Sequence, residues 1–125
     1  MSMIKPKILI VDDDARLSTL MATILERAGY ETRQENRSFA ALSTAQKFQP
    51  DLILLDLNMP GKDGGTVAAE IRMEKPLSQT PIIFVTSLIG KSEAGICGGD
   101  RFLSKPIEPA VLLAAVKQTV SMVAA

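Results

Sequence analysis

Short continuous apolar runs alternate along this chain with segments whose apolar residues recur at helical spacing. The first run, KILIV at 7–11, is β-branched and leucine-rich throughout, as expected of a strand covered on both faces. Leu17, Leu20, Met21, Ile24 and Leu25 then mark one face of a helix, with Asp13 or Asp14 available to cap its start and Gly29 to stop it. Residues 30–34 predict a weaker strand nearer an edge. Phe39, Leu42, Ala45 and Phe48 share a face of a second helix, which Pro50 ends. A third buried strand covers 52–55, Pro60, Gly61, Gly64 and Gly65 make a loop, and Val67 and Ile71 belong to a third helix. Residues 82–85 and 101–104 are the fourth and fifth strands. Pro109 opens the last helix, whose apolar face carries Val111, Leu112, Ala115, Val116, Thr119, Val120 and Val123.

One stretch interrupts the alternation. Gly90, Gly95, Gly98 and Gly99 crowd the place of the fourth crossover helix, and each glycine inside a helix costs about 1 kcal/mol relative to alanine. A short or irregular fourth helix is expected there. Strand-helix alternation from end to end implies an α/β fold with a doubly wound, five-stranded parallel sheet, and 125 residues fit one domain, 1–125.

Three of the apolar runs stop on charged residues: ILIV at Asp12 and Asp13, LILL at Asp56, and FLS at Lys105. In an open α/β sheet the carboxyl ends of parallel strands face one crevice, so these groups converge although far apart in sequence. A single aspartate after a strand is explained by helix capping. Capping needs one side chain per helix, however, and here two adjacent acids end one strand while a third ends another. Clustered carboxylates raise one another's pKa unless a cation sits among them. Oxygen-only ligands favour Mg²⁺, or Mn²⁺, over zinc. Phosphoryl transfer is the chemistry this set suits.

Composition narrows the alternatives. Lysine plus arginine equals aspartate plus glutamate at 14 each, so direct nucleic-acid binding is not expected of the chain, nor attraction to an anionic membrane. No apolar run approaches the roughly 20 residues of a membrane span, and residues 1–7 lack the apolar stretch of a secretory signal, which points to the cytoplasm. The lone Cys97 excludes an internal disulfide, in keeping with that compartment. The absence of histidine removes imidazole-dependent triads, histidine-bound zinc and any phosphohistidine within the chain.

The motifs ILIVDDD, LILLDLNMPGKDG, IIFVTS and FLSKP, in this order and spacing, resemble the receiver domain of bacterial two-component response regulators over nearly the whole length. The resemblance implies a flavodoxin-like (βα)5 fold and a phosphoacceptor at Asp56, served by a histidine kinase or histidine phosphotransfer protein. It implies that Asp13 and Asp56 ligate Mg²⁺ directly, Asp12 mostly through water, and Asn58 through its backbone carbonyl. Lys105 would pair with one phosphoryl oxygen and Thr86 would donate its hydroxyl to another. Thr86 and Phe102 would form the switch read by a downstream effector, a homodimer is compatible with it, and the Lys105–Pro106 bond is expected to be cis. Such a chain is a switch, not an enzyme acting on an external substrate. The enzymatic alternative, a phosphatase of the haloacid dehalogenase type, needs a second acid two residues after the nucleophile, where Asn58 stands. A degenerate receiver that only binds partners is the other alternative, against which all five expected site residues are present. The stretch from Thr86 to Lys105 is a few residues shorter than the family usually has, which bears on the output surface and not on the acid cluster.

Overall fold

Lys7–Val11 (β1) and Leu52–Asp56 (β3) lie side by side at the centre of the sheet, and from Ile8 to Val11 and Leu52 to Leu55 no side chain reaches solvent. The computed structural model of the protein describes residues 4–87, 94–97 and 100–124. Glu31–Glu35 (β2), Ile82–Thr86 (β4) and Asp100–Ser104 (β6) complete a parallel array, with Ala94–Cys97 (β5) on its far edge in the order β2-β1-β3-β4-β6-β5. Around it lie the helices Ala15–Arg27 (α1), Ala41–Phe48 (α2), Gly64–Arg72 (α3) and Pro109–Ala124 (α4).

Alternation along the strands divides the core in two. Leu9, Val11, Ile53, Leu55 and Phe84 pack with α2 and α3, whereas Ile8, Ile10, Leu52, Leu54, Ile83 and Val85 pack with α1 and α4. Each of these side chains contributes about 1.5–3 kcal/mol on burial, so the central strands, and the residues at their ends, are held firmly. The weak strand at 30–34 is β2, which ends the sheet on one side as its polar sequence predicts. Of the two candidate caps for α1, Asp14 serves: its Oδ1 accepts from the N–H groups of Arg16 and Leu17 at 3.1 and 3.2 Å. Gly29 follows with φ +100°, a conformation that stops a helix and suits glycine.

The structure departs from the sequence pattern in several places, one being that Gly64 and Gly65 open α3 instead of lying in the loop before it, since Asp63 caps the helix there. Among the described residues there is no fourth crossover helix: residues 94–97 form β5, antiparallel to β6, with Ala94 opposite Leu103 and Cys97 opposite Asp100. Antiparallel strands can follow one another closely in sequence, as Cys97 opposite Asp100 does. Gly95 is therefore a strand residue, while Gly90, Gly98 and Gly99, like the side chain of Val123, lie outside the described residues. Phe39 is not on the buried face of α2 but in a 3₁₀ turn, Ser38–Ala40, and is 69% exposed. Leu20 is half exposed, because the buried face of α1 runs through Ser18, Met21, Ala22 and Leu25, and one residue along a helix turns Leu20 about 100° away from Met21.

Candidate functional site

Asp12 follows β1 directly, and its carboxylate is 1% exposed, beside Asp56 at the end of β3, which is 3% exposed. Asp13 is exposed at the rim. One carboxylate oxygen from each of the three lies within 4.8 Å of the others. Burial and convergence have one cause, since β1 and β3 are neighbours in register and both end at the same level.

Lys105 closes the group from β6. Its Nζ stands 3.4 Å from Asp56 Oδ1 and 3.5 Å from Asp12 Oδ2. Register places it there: Ser104 pairs with Thr86, and the Lys105 N–H donates to the Thr86 carbonyl at 2.7 Å. The Lys105–Pro106 bond is cis, as expected. Thr86, the last residue of β4, is buried at the same level of the sheet. Asn58 lies on the loop after β3, and its N–H donates to Asp56 Oδ1 at 3.2 Å. Phe102 sits lower on β6, half-buried opposite Phe84 and packed on the core facing α2 and α3, so it is not part of the acid cluster.

The electrostatics are dominated by burial. Desolvation pushes the Asp56 carboxyl up to about 6, aided by the Asp12 charge and opposed by the Asn58 N–H and the Lys105 ammonium. Asp12 is raised as well, again by burial first, against the Asp14 N–H at 2.9 Å and Lys105. One ammonium does not neutralise three acids. Asp12 Oδ2 is buried with no hydrogen-bond partner, its nearest cation being Lys105 Nζ. A buried carboxylate oxygen without a hydrogen bond, in an all-oxygen cluster, fits a small divalent cation of the Mg²⁺ or Mn²⁺ class.

The loop after β3 is shaped by close approach. A Cβ on Gly64 would stand 2.4 Å from the Asp56 carbonyl oxygen, so only glycine lets α3 start this near the acid. Residues 35–38, between the second strand and the second helix, are assigned no role by the sequence. The structure places Asn36 against the Asp12 carbonyl and Ser38 against the loop at 60–62. No sequence signal marks those contacts, which join residues more than twenty positions apart.

The response regulator receiver domain family matches this chain over residues 8–117. The chain belongs to that family. A receiver of Vibrio cholerae, the chemotaxis protein CheY4, superposes with TM-score 0.81 at 28% identity, covering 93% of this chain and 99% of that one. The activated N-terminal receiver domain of Klebsiella pneumoniae RstA does so with TM-score 0.75 at 32% identity, over 91% and 97% of the two chains. Among curated relatives, the Synechocystis regulator RpaA, named a DNA-binding dual master transcriptional regulator, is 36% identical over 90% of this chain and 48% of its own length. Escherichia coli BaeR, named a transcriptional regulatory protein, is 36% identical over 90% and 47%. The protein is thus a receiver domain of the two-component type, with the flavodoxin-like fold of those structures, and nothing in the matches favours a phosphatase.

These relatives correct the expectation that nucleic acid lies outside the partners of this receiver, since several are named DNA-binding regulators. The chain spans about half their length. A balanced charge over 125 residues carries no information about residues beyond them. No helix among the described residues is long and apolar enough to cross a membrane.

Proposed function

We propose that Asp56 is the phosphoacceptor of this receiver and that Asp12, Asp13, Lys105 and Thr86 serve it. The observation that carries the reading is Lys105 Nζ within 3.5 Å of both buried acids, Asp12 and Asp56, in a cluster that still leaves a carboxylate oxygen without a hydrogen bond. An Asp56 oxygen attacks the phosphorus of a histidine-bound phosphoryl group. The P–N bond breaks with its electron pair leaving on the imidazole, and an acyl phosphate forms. Asp56, raised to about 6, is mostly ionised at neutral pH and therefore nucleophilic. Lys105 offsets charge on the phosphoryl oxygens, a problem of positioning and electrostatics. Asp13 and Asp56 would hold Mg²⁺ directly, Asp12 through water, and Asn58 through its backbone carbonyl, with Mn²⁺ an acceptable substitute. When bound, the ion supplies further charge neutralisation at the phosphoryl group.

The chain then works as a switch in the cytoplasm, catalysing at most its own phosphorylation and dephosphorylation. A phosphoryl group adds about −1.5 to −2 charges at Asp56, and the Thr86 hydroxyl and the Phe102 ring are the proposed responders. Phe102 is well situated, between Phe84 on β4 and the backbone of Gly95 on β5. Residues 1–125 are proposed as one domain, which a single cooperative unfolding transition would support. Coupling of this receiver to a DNA-binding output is compatible with its relatives.

The test is direct. Acetyl phosphate with Mg²⁺ adds about 80 Da to the wild-type chain, and Asp56→Asn takes up none. Equal labelling of the variant, or none of the wild type, removes the assignment.

A further inference from the structure

The segment leaving β2 carries none of the proposed site residues, yet it touches both loops that do. On the β1 side, the Asp12 N–H donates to the Glu35 carbonyl at 3.1 Å, and the Asn36 side-chain amide donates to the Asp12 carbonyl at 2.7 Å. The same amide donates to Ser18 Oγ at 3.0 Å, and that fully buried hydroxyl donates to Gln34 Oε1 at 2.9 Å. On the β3 side, Ser38 Oγ donates to the Pro60 carbonyl at 2.9 Å and accepts from the Lys62 N–H at 3.1 Å. One buried hydroxyl thus closes the loop on either side of Gly61, three residues beyond Asn58. Between the two ends, Glu35 fixes the turn by accepting from Thr44 Oγ1 at 2.6 Å and from the Arg37 N–H at 3.0 Å.

We propose that Asn36 and Ser38 are positioning residues: together they set the distance from the β1 carboxylates to the β3 loop, and so the affinity of the acid cluster for a divalent cation. The inference rests on the proposed cation site. Asp12 and Asp13 follow β1, whereas Asp56 ends β3 and Asn58 lies on the loop after it. The sheet fixes the strands beneath them, and single bonds from the Asp12 N–H to Glu35 and from the Leu57 N–H to Val85 continue it by one residue, but the loop at 58–62 beyond them has Ser38 as its tie to the β2 side. A cation that must be ligated from both loops binds tightly only if their separation is set beforehand, because small hard cations tolerate little deviation in geometry. Groups that orient ligands from outside the coordination sphere change metal affinity by about 10- to 100-fold when removed.

The experiment is a calorimetric titration of the unphosphorylated chain with MgCl₂, for wild type, Asn36→Ala, Ser38→Ala and a control, Val116→Ala. The control opens a buried site on the α4 side of the sheet, and so loosens the fold without touching either loop. Asn36→Ala and Ser38→Ala are expected to weaken Mg²⁺ binding about 10-fold each, with the control like wild type. Wild-type affinity in both loop variants overturns the proposal, and so does an equal loss in Val116→Ala, which would reduce the effect to general loosening. Acetyl phosphate labelling of the same samples separates the two readings. Weakened Mg²⁺ binding in a wild-type background that accepts no phosphoryl group would leave the positioning role standing and the phosphoacceptor role refuted. A wild type that binds no Mg²⁺ refutes the positioning role.

Discussion

Lys105 Nζ stands 3.4 Å from Asp56 Oδ1, and Asp56 nevertheless titrates at about 6. Burial outweighs the ion pair. Between about pH 4 and pH 6 the folded chain therefore holds a proton at Asp56 that the unfolded chain has released. Unfolding releases that proton, so in the absence of divalent cation stability falls as pH rises through this window. Asp56→Asn, which removes the charge, should be more stable than wild type by about 1–2 kcal/mol at pH 7.5, with the difference shrinking toward pH 4. Urea denaturation with chelator at the two pH values measures it. A variant no more stable at pH 7.5 would show that Lys105 compensates the cluster after all.

Removing Lys105 itself should act on the reaction. Lys105→Ala leaves the carboxylates and the Asn58 loop in place and deletes one cation from the phosphoryl path. Phosphorylation by acetyl phosphate at saturating Mg²⁺ is expected to slow about 100-fold, the effect of losing one preorganised charge or donor. Phosphorylation at the wild-type rate would place the charge compensation elsewhere.

Gly64 and Gly65 are adjacent and should respond oppositely to alanine. At Gly64 the added Cβ would meet backbone atoms of Asp56 and Leu57 at 2.4 and 2.8 Å, which cannot yield without moving the acid. A loss of about 1–3 kcal/mol is expected, together with impaired phosphorylation. At Gly65 the nearest contact is Asp63 Oδ1 at 3.5 Å, ordinary van der Waals distance. There alanine should stabilise the first turn of α3 by up to about 1 kcal/mol. Thermal melts of the two variants decide the matter.

Glu35 offers an opposite pH dependence. Burial raises its carboxyl, but hydrogen bonds from Thr44 and from Arg37 together outweigh burial and hold it below its ordinary value. Its contribution is present above the unfolded pKa and is lost as pH falls through the lower folded value. Thr44→Ala, which removes the 2.6 Å bond to Glu35 Oε1, should cost about 1–2 kcal/mol at pH 7. The loss should be much smaller at pH 3, as denaturant titrations at both values would reveal.

The residues of the acid cluster were legible in the sequence because each stands at the end of an apolar run, and parallel strands of one sheet end at one level. Asp12, Asp56 and Lys105 needed only that rule to be brought together, whereas Thr86 joined them through the family resemblance. Less of the surroundings was legible. Phe39 reads as a core position of α2, yet in the structure its exposed ring lies against the loop, where a Cβ on Gly61 would come within 2.3 Å of it. The Lys62 ammonium lies 5.3 Å from the centre of that ring. Helical spacing cannot distinguish a buried position from one where the chain has not yet entered its helix.

What the sequence determined by itself was local: which segments are strands, which faces are apolar, and which ionisable groups stand at strand ends. Period and burial are properties of neighbouring residues, so composition over a few positions carries them. The tertiary structure alone decided that Asp14 rather than Asp13 caps α1, and that β5 runs antiparallel beside β6. It also decided that Asn36 and Ser38 reach the two acid-bearing loops, and that burial lifts Asp56 above its ordinary range. Those outcomes depend on which groups meet across the fold and how much water is left between them, and a strand's own residues do not encode either.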